Sequence, residues 1–301
     1  MQKKRVFRGL CCCILLWGLD LLLIHWIQIW AVFGNLNLYS AQSEEFRKQE
    51  ISAEAYEKLE EFSSRTQTDL IDGMTVFLIM NRFRLTGHTK MTESEFERGY
   101  RILTQYKSQE YHLLKNAVAA VWQGIIWFPT AADSRGSTVT DFEDSWMSER
   151  NYQGSRRHEG CDIFCWEQGQ TGGTLRGYYP VVSVTDGYVE QIGWLPLGGY
   201  RIGIRSPEGG YFYYAHLYSY AQEFQAGDRI TAGQMLGLMG DSGYGDEGTV
   251  GQFPVHLHFG IYFNAQDGSE VSVNPYPVLC ILENRRKEYT LAGEGTVCTV
   301  S

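Results

Sequence analysis

The chain has 301 residues, room for about two domains, and a formal net charge of -9. The first 33 residues hold Lys3, Lys4, Arg5 and Arg8 against one acid, Asp20, so the rest is more acidic still. A surface of that sign repels nucleic acid and anionic membrane, and nucleic acid is excluded as a partner. Glycine is abundant (33) and proline scarce (7), and the glycines crowd into the second half, which favours turns and short strands there.

Residues 1–8 read as a basic cytoplasmic tail. The apolar run that follows, residues 9–33, is long enough at about 1.5 Å per residue to cross a bilayer. Basic residues ahead of the run keep the N-terminus inside and export the remainder, giving a single-pass membrane protein with an extracytoplasmic C-terminal domain. A cleaved signal peptide is the competing reading, but Ala31-Val32-Phe33-Gly34 is a poor cleavage site.

Residues 34–128 read as a small helical, membrane-proximal region. Residues 41 to 65 suit a solvated helix, and a second helix runs from about Asp69 to Phe83. A third opens at Thr92-Glu93-Ser94-Glu95, a capping-box pattern, and continues to about Trp127. No chemical motif falls here, so the simplest role is a stalk. Residues 129–150, polar after Pro129, read as a linker. Residues 151–285 switch to a period of two, with strands expected near Val181–Val184, Gly187–Trp194, Tyr200–Ser206, Tyr211–Leu217 and Val255–Phe263. Pro207-Glu208-Gly209-Gly210 is a hairpin turn. Residues 286–301 form a C-terminal tail.

Seven cysteines divide into Cys11, Cys12 and Cys13 in the apolar run and Cys161, Cys165, Cys280 and Cys298 beyond it. No CxxC pair exists, which argues against a structural zinc ribbon; an even count in an exported region permits disulfides.

The chemistry concentrates in histidines of the second half. His158 and Asp162 form an HxxxD pattern, with both side chains on one side of an extended segment. His256 and His258 form HxH, and in a strand both face one way, about 7 Å apart at the backbone. His216 lies in another expected strand. HxxxD alone also fits a polar turn, and HxH alone a solvated edge; the joint occurrence is what points to a site. A catalytic zinc takes three protein ligands and keeps one position open, and spare imidazoles can move protons and stabilise an oxyanion. HExxH is absent, which excludes the zincin arrangement.

At these residues the chain resembles the M23 peptidases, the lysostaphin and LytM group of peptidoglycan endopeptidases. The likeness covers about Asn151 to Pro277. It includes Arg157-His158-Glu159-Gly160-Cys161-Asp162-Ile163, Asp186-Gly187-Tyr188-Val189, Tyr213-Tyr214-Ala215-His216-Leu217, Gly240-Asp241-Ser242-Gly243, His256-Leu257-His258-Phe259 and Asn274-Pro275. The exported region, with Trp146-Met147-Ser148-Glu149-Arg150, also looks like membrane-bound clostridial members. The resemblance implies a mainly β fold, a twisted antiparallel sheet with a groove over a metal, here preceded by a transmembrane helix and a small α-helical region. It implies one Zn2+ per chain held by His158, Asp162 and His258, with His216 and His256 as catalytic imidazoles. It implies a bacterial membrane location and hydrolysis of peptidoglycan cross-bridge or stem peptides. The alternative is an inactive M23-type scaffold that binds wall or protein partners; such scaffolds usually lack one of these five residues. Protein partners are not legible. Members commonly carry Thr where this chain has Cys161. Alternation points Cys161 away from the metal, which favours an inert thiol or a disulfide with Cys165 over a competing ligand.

Overall fold

The computed structural model describes residues 2–38, 40–134, 136, 138–151, 154–169, 173–290 and 299–300. The apolar run forms helix α1 (Gln2–Leu38). Within it Leu10–Trp30, 21 residues of mean hydropathy 2.1, has the length and apolarity of a membrane anchor or a signal sequence.

Five short helices follow: α2 (Glu44–Lys48), α3 (Ala53–Thr66), α4 (Leu70–Met80), α5 (Glu93–Tyr106) and α6 (Ser108–Trp122). Ser43, Ser52, Asp69 and Thr92 begin four of them, each side chain accepting from an N–H three residues on. The capping pattern at Thr92 does start a helix, but that helix ends at Lys107, whose φ of -140° breaks the i to i-4 ladder. One long helix is thus two. Tyr100 on α5 meets Tyr111 on α6 edge to face, centroids 5.8 Å apart. α4 is apolar nearly all round and buried, as expected for the central helix of a small bundle.

Residues 41–65 are amphipathic rather than solvated: Phe46, Tyr56, Leu59 and Phe62 are buried. Their charged residues, which dominate the composition, occupy only the outward face. The bundle is also fastened to the second half of the chain. Arg47 donates to Ser272 O (2.8 Å) and Oγ (2.7 Å), the Asn274 N–H returns to Arg47 O (2.7 Å), and Phe46 packs edge to face on Phe263. The buried Trp122 Nε1 donates to Gln49 Oε1 at 2.6 Å.

A ten-stranded sheet forms the second half. Its strands are β1 (Thr138–Phe142), β2 (Cys161–Glu167), β3 (Pro180–Val182), β4 (Gly187–Leu195), β5 (Gly199–Arg205), β6 (Tyr211–Tyr220), β7 (Arg229–Ile230), β8 (Met235–Met239), β9 (Leu257–Asn264) and β10 (Glu270–Val273). The main path runs β7-β4-β5-β6-β9-β2-β1; β8 joins β6 to β3, and β10 extends β9. Every pairing is antiparallel. A short helix, α7 (Tyr276–Leu282), follows. The fold is therefore mostly antiparallel β with helices ahead of it.

Alternation sorts the two faces. Cys161, Ile163 and Cys165 on β2 and Leu257, Phe259 and Ile261 on β9 are fully buried core residues. The residues between them face the other way. β1 lies inside the stretch that polarity marked as a linker. Among the described residues it pairs only with β2, and an edge strand that touches solvent tolerates Thr and Asp. Cys161 and Cys165 are free, so the disulfide between them does not form. Four residues apart on one extended strand, the two sulfurs cannot meet. Cys161 donates instead to Glu143 O at 3.0 Å. Cys298 lies outside the described residues.

Candidate active site

Strand register assembles the site. His258 on β9 lies directly opposite Asp162 on β2 and, on its other side, opposite Ala215 on β6. Side chains opposite one another share a face, so Asp162 and His258 face one groove. His256 precedes β9 and is held there by a bridge to Gly240. His158 comes from the loop before β2.

His216 is the exception to alternation. Ala215 shares the groove face, so a regular strand would turn His216 into the core. The backbone at His216 instead has φ 61°, and the pairing of β5 with β6 slips at this point. That bulge turns the imidazole back into the groove. A non-glycine residue in the left-handed region costs of order 1–3 kcal/mol and persists only where surroundings enforce it. Here the His216 N–H donates to Gly198 O (2.8 Å) and its ring Nδ1 to Ser242 O (2.8 Å).

The structure brings all five sequence-predicted residues together. His158 Nε2 lies 2.9 Å from His258 Nδ1 and 3.1 Å from Asp162 Oδ1, and His258 Nδ1 lies 3.1 Å from the same oxygen. His256 Nε2 stands 3.5 Å from Asp162 Oδ1. The His216 ring is centred 4.8 Å from His256 and 5.9 Å from His258. Two imidazoles and a carboxylate at these separations form a donor set that suits zinc. Donor atoms about 2.0–2.1 Å from a tetrahedral ion stand about 3.3 Å apart, close to the observed triangle. His158 Nδ1 lies 3.1 Å from Ser145 O and 3.2 Å from Arg150 Nη2, contacts that hold the ring with its Nε2 turned toward the Asp162 carboxylate.

Electrostatics sharpen the arrangement. Burial pushes the Asp162 carboxyl upward, but hydrogen bonds from His158 and His258 outweigh it and hold it well below the ordinary carboxylate range. Burial lowers His216 well below 6.5, reinforced by His256 and His258 beside it. Burial likewise lowers His256 and His258, against the pull of Asp162. His216, His256 and His258 are therefore neutral near pH 7. His256 Nδ1 donates to Pro254 O at 2.7 Å, so His216 and His256 both have a fixed tautomer, Nδ1 protonated and Nε2 free.

Sequence reasoning missed the supporting residues. Arg150 donates to Asp162 Oδ2 at 2.7 Å and fixes the orientation of the other oxygen. Phe253 packs on His216 (4.5 Å) and His256 (5.2 Å). Tyr213 stands edge-on to His258 at 5.9 Å. Only the alternation of β6 could have flagged Tyr213 in advance. These side chains line a groove of 690 Å³. Gly160 permits its closest packing: a Cβ there would meet His258 Cε1 at 2.5 Å.

The antiparallel sheet thus carries a His/Asp/His set of the donor types that metal ions take, with two further imidazoles in the same open groove. The model of peptidase family M23 matches residues 156–275. A crystal structure from Ruminococcus gnavus ATCC 29149, a proposed glycyl-glycine endopeptidase lytM, is 40% identical with a TM-score of 0.69, covering 86% of this chain and 98% of that one. The chain belongs to peptidase family M23. An L-Ala–D-Glu endopeptidase of Bacillus subtilis (strain 168) is 41% identical over 154 residues, which is 50% of this chain and 43% of the relative. The chain thus matches less than half the length of that relative.

Proposed function

We propose that the chain is a zinc-dependent endopeptidase that hydrolyses peptide bonds in peptidoglycan, held by α1 in the bacterial membrane with its groove on the outer side. In this reading residues 1–8 remain cytoplasmic, 9–33 cross the membrane, and 34–128 support the catalytic unit of 151–285. The observation that carries it is the convergence of His158 Nε2, Asp162 Oδ1 and His258 Nδ1 within 3.1 Å, with His216 and His256 beside them. His158, Asp162 and His258 would hold one zinc ion, which when bound lowers the pKa of water to about 7 and polarises the scissile carbonyl.

The remaining work falls to the chain's own side chains. Arg150 holds Asp162 in place. His216 and His256, neutral and anchored at Nδ1, can each accept a proton at Nε2. Once protonated, the same Nε2–H can donate to the oxygen on which charge builds, a contribution of about 100- to 1000-fold in turnover for a single donor. The names of the relatives suggest Ala–D-Glu and Gly–Gly bonds as candidates. The test is incubation of the full-length, zinc-loaded chain with isolated peptidoglycan. New amine termini should appear, vanish with chelator and return with zinc. A zinc-loaded protein that releases no fragments from any wall tested would defeat the proposal.

A further inference from the structure

The groove contains a buried cation with no counter-ion among the described residues. Arg201 stands on β5, on the groove face, and is only 9% exposed. Its Nη2 reaches the neutral Gln191 Oε1 at 3.3 Å, and its Nη1 is buried with no partner. Three acids that line the same groove, Asp162, Glu190 and Glu159, pair with other cations, Asp162 with Arg150. Glu190 is gripped by Arg205, which donates to it from Nη2 at 2.9 Å and again from Nε. Glu159 lies against Arg47 at 3.9 Å. Burial raises the Glu270 carboxyl, and Arg205 is the cation that acts against it. No ion pair among the described residues includes Arg201.

An unpaired buried charge is expensive, and a fold keeps one only where something compensates it. A guanidinium is built to receive a carboxylate through two parallel N–H bonds. Arg201 shares the groove with the donor set, and Tyr213, whose ring edge meets His258, stands on the same wall. We propose that Arg201 is a substrate-binding residue that receives a carboxylate carried by the bound peptide close to the scissile bond. The inference rests on reading the groove as a peptidase site. It narrows the substrate to peptides with an acidic residue beside the bond that is cut, and away from uncharged glycine bridges.

The probes are an L-Ala–D-Glu–L-Lys peptide with its free carboxylate, the same peptide with that group as a carboxamide, and pentaglycine. Affinities are measured calorimetrically on the full-length, zinc-loaded chain carrying His216→Ala, which removes turnover. Hydrolysis is measured on the chain with His216 intact. The acid should bind at least about tenfold more tightly than the amide, the typical scale of a charge-assisted hydrogen bond, and pentaglycine more weakly still. With intact His216 the preference should appear in KM rather than kcat. Adding Arg201→Gln should bring the acid-to-amide ratio close to one, and Arg201→Lys should restore part of it. A merely structural role for Arg201 would not move that ratio. Equal affinity for acid and amide, a ratio that survives Arg201→Gln, tighter binding of pentaglycine, or no binding of any probe overturns the proposal. Preferential binding without hydrolysis would uphold Arg201 and remove the peptidase reading. Hydrolysis without preference would do the reverse.

Discussion

Arg150→Met tests whether the donor set depends on support from outside it. The guanidinium donates to Asp162 Oδ2 at 2.7 Å, and nothing else among the described residues engages that oxygen. A hydrogen bond to a charged group contributes about 1.5–3 kcal/mol. Arg150 is 37% exposed at its side chain and Asp162 15%, so solvent screens part of the charge and the lower end applies. About 1.5 kcal/mol corresponds to roughly tenfold, which is also the lower bound for losing a partner that orients a metal ligand. Zinc affinity, read by competition with a chromogenic chelator, should therefore fall about tenfold in Arg150→Met. Arg150→Lys, which keeps the charge but not the planar fork, should fall between variant and parent. An Arg150→Met protein that folds normally and binds zinc as tightly as the parent would refute the reasoning.

Gly160→Ala should displace the His258 ring, since the added Cβ would lie 2.5 Å from its Cε1 and 2.8 Å from Phe259 O. Overpacking of this kind costs about 1–3 kcal/mol, so a lower Tm and reduced zinc content are expected together; a Tm within error of the parent contradicts the packing account. The metal-free chain should lose stability as pH falls below about 6.5. His216, His256 and His258 have folded-state pKa values below their unfolded value, so under those conditions the unfolded chain takes up protons that the folded one refuses. Thermal denaturation of the metal-free chain from pH 8 to 5 measures this, and a Tm that rises on acidification opposes it. Protease treatment of intact protoplasts should remove the domain beyond α1, whereas a soluble form beginning near residue 32 would replace the anchor with a signal sequence.

What the sequence could convey depended on whether spacing alone determines a side chain's direction. His256 and His258, two residues apart in an apolar strand, had to share a face, and cross-strand register then put Asp162 opposite His258. His216 was legible only by resemblance, because strict alternation sends it to the core and a local φ of 61° reverses that. Arg150 was illegible, since it lies in a polar stretch with linker composition and acts through a contact twelve residues away. β1 was hidden for the same reason: an edge strand needs little apolar patterning. Composition hid the packing of the helical region as well. Phe46, Tyr56, Leu59 and Phe62 are few among many charges, yet they are the residues that bury, and Arg47 ties that region to β10 and the residue following it.

The central claim is the division of labour on the groove face beside β9, where His258 holds metal and His256 does not. The most direct test is elemental zinc analysis of full-length His256→Ala and His258→Ala, purified side by side with the parent. His258 Nδ1 is within 3.1 Å of both other donors, whereas His256 Nε2 stands 3.5 Å from Asp162 Oδ1 and is tied back through Nδ1 to Pro254 O. The account predicts about one zinc per chain in His256→Ala with turnover reduced about 100- to 1000-fold, and zinc lost from His258→Ala. Zinc retained in His258→Ala and lost from His256→Ala would contradict it.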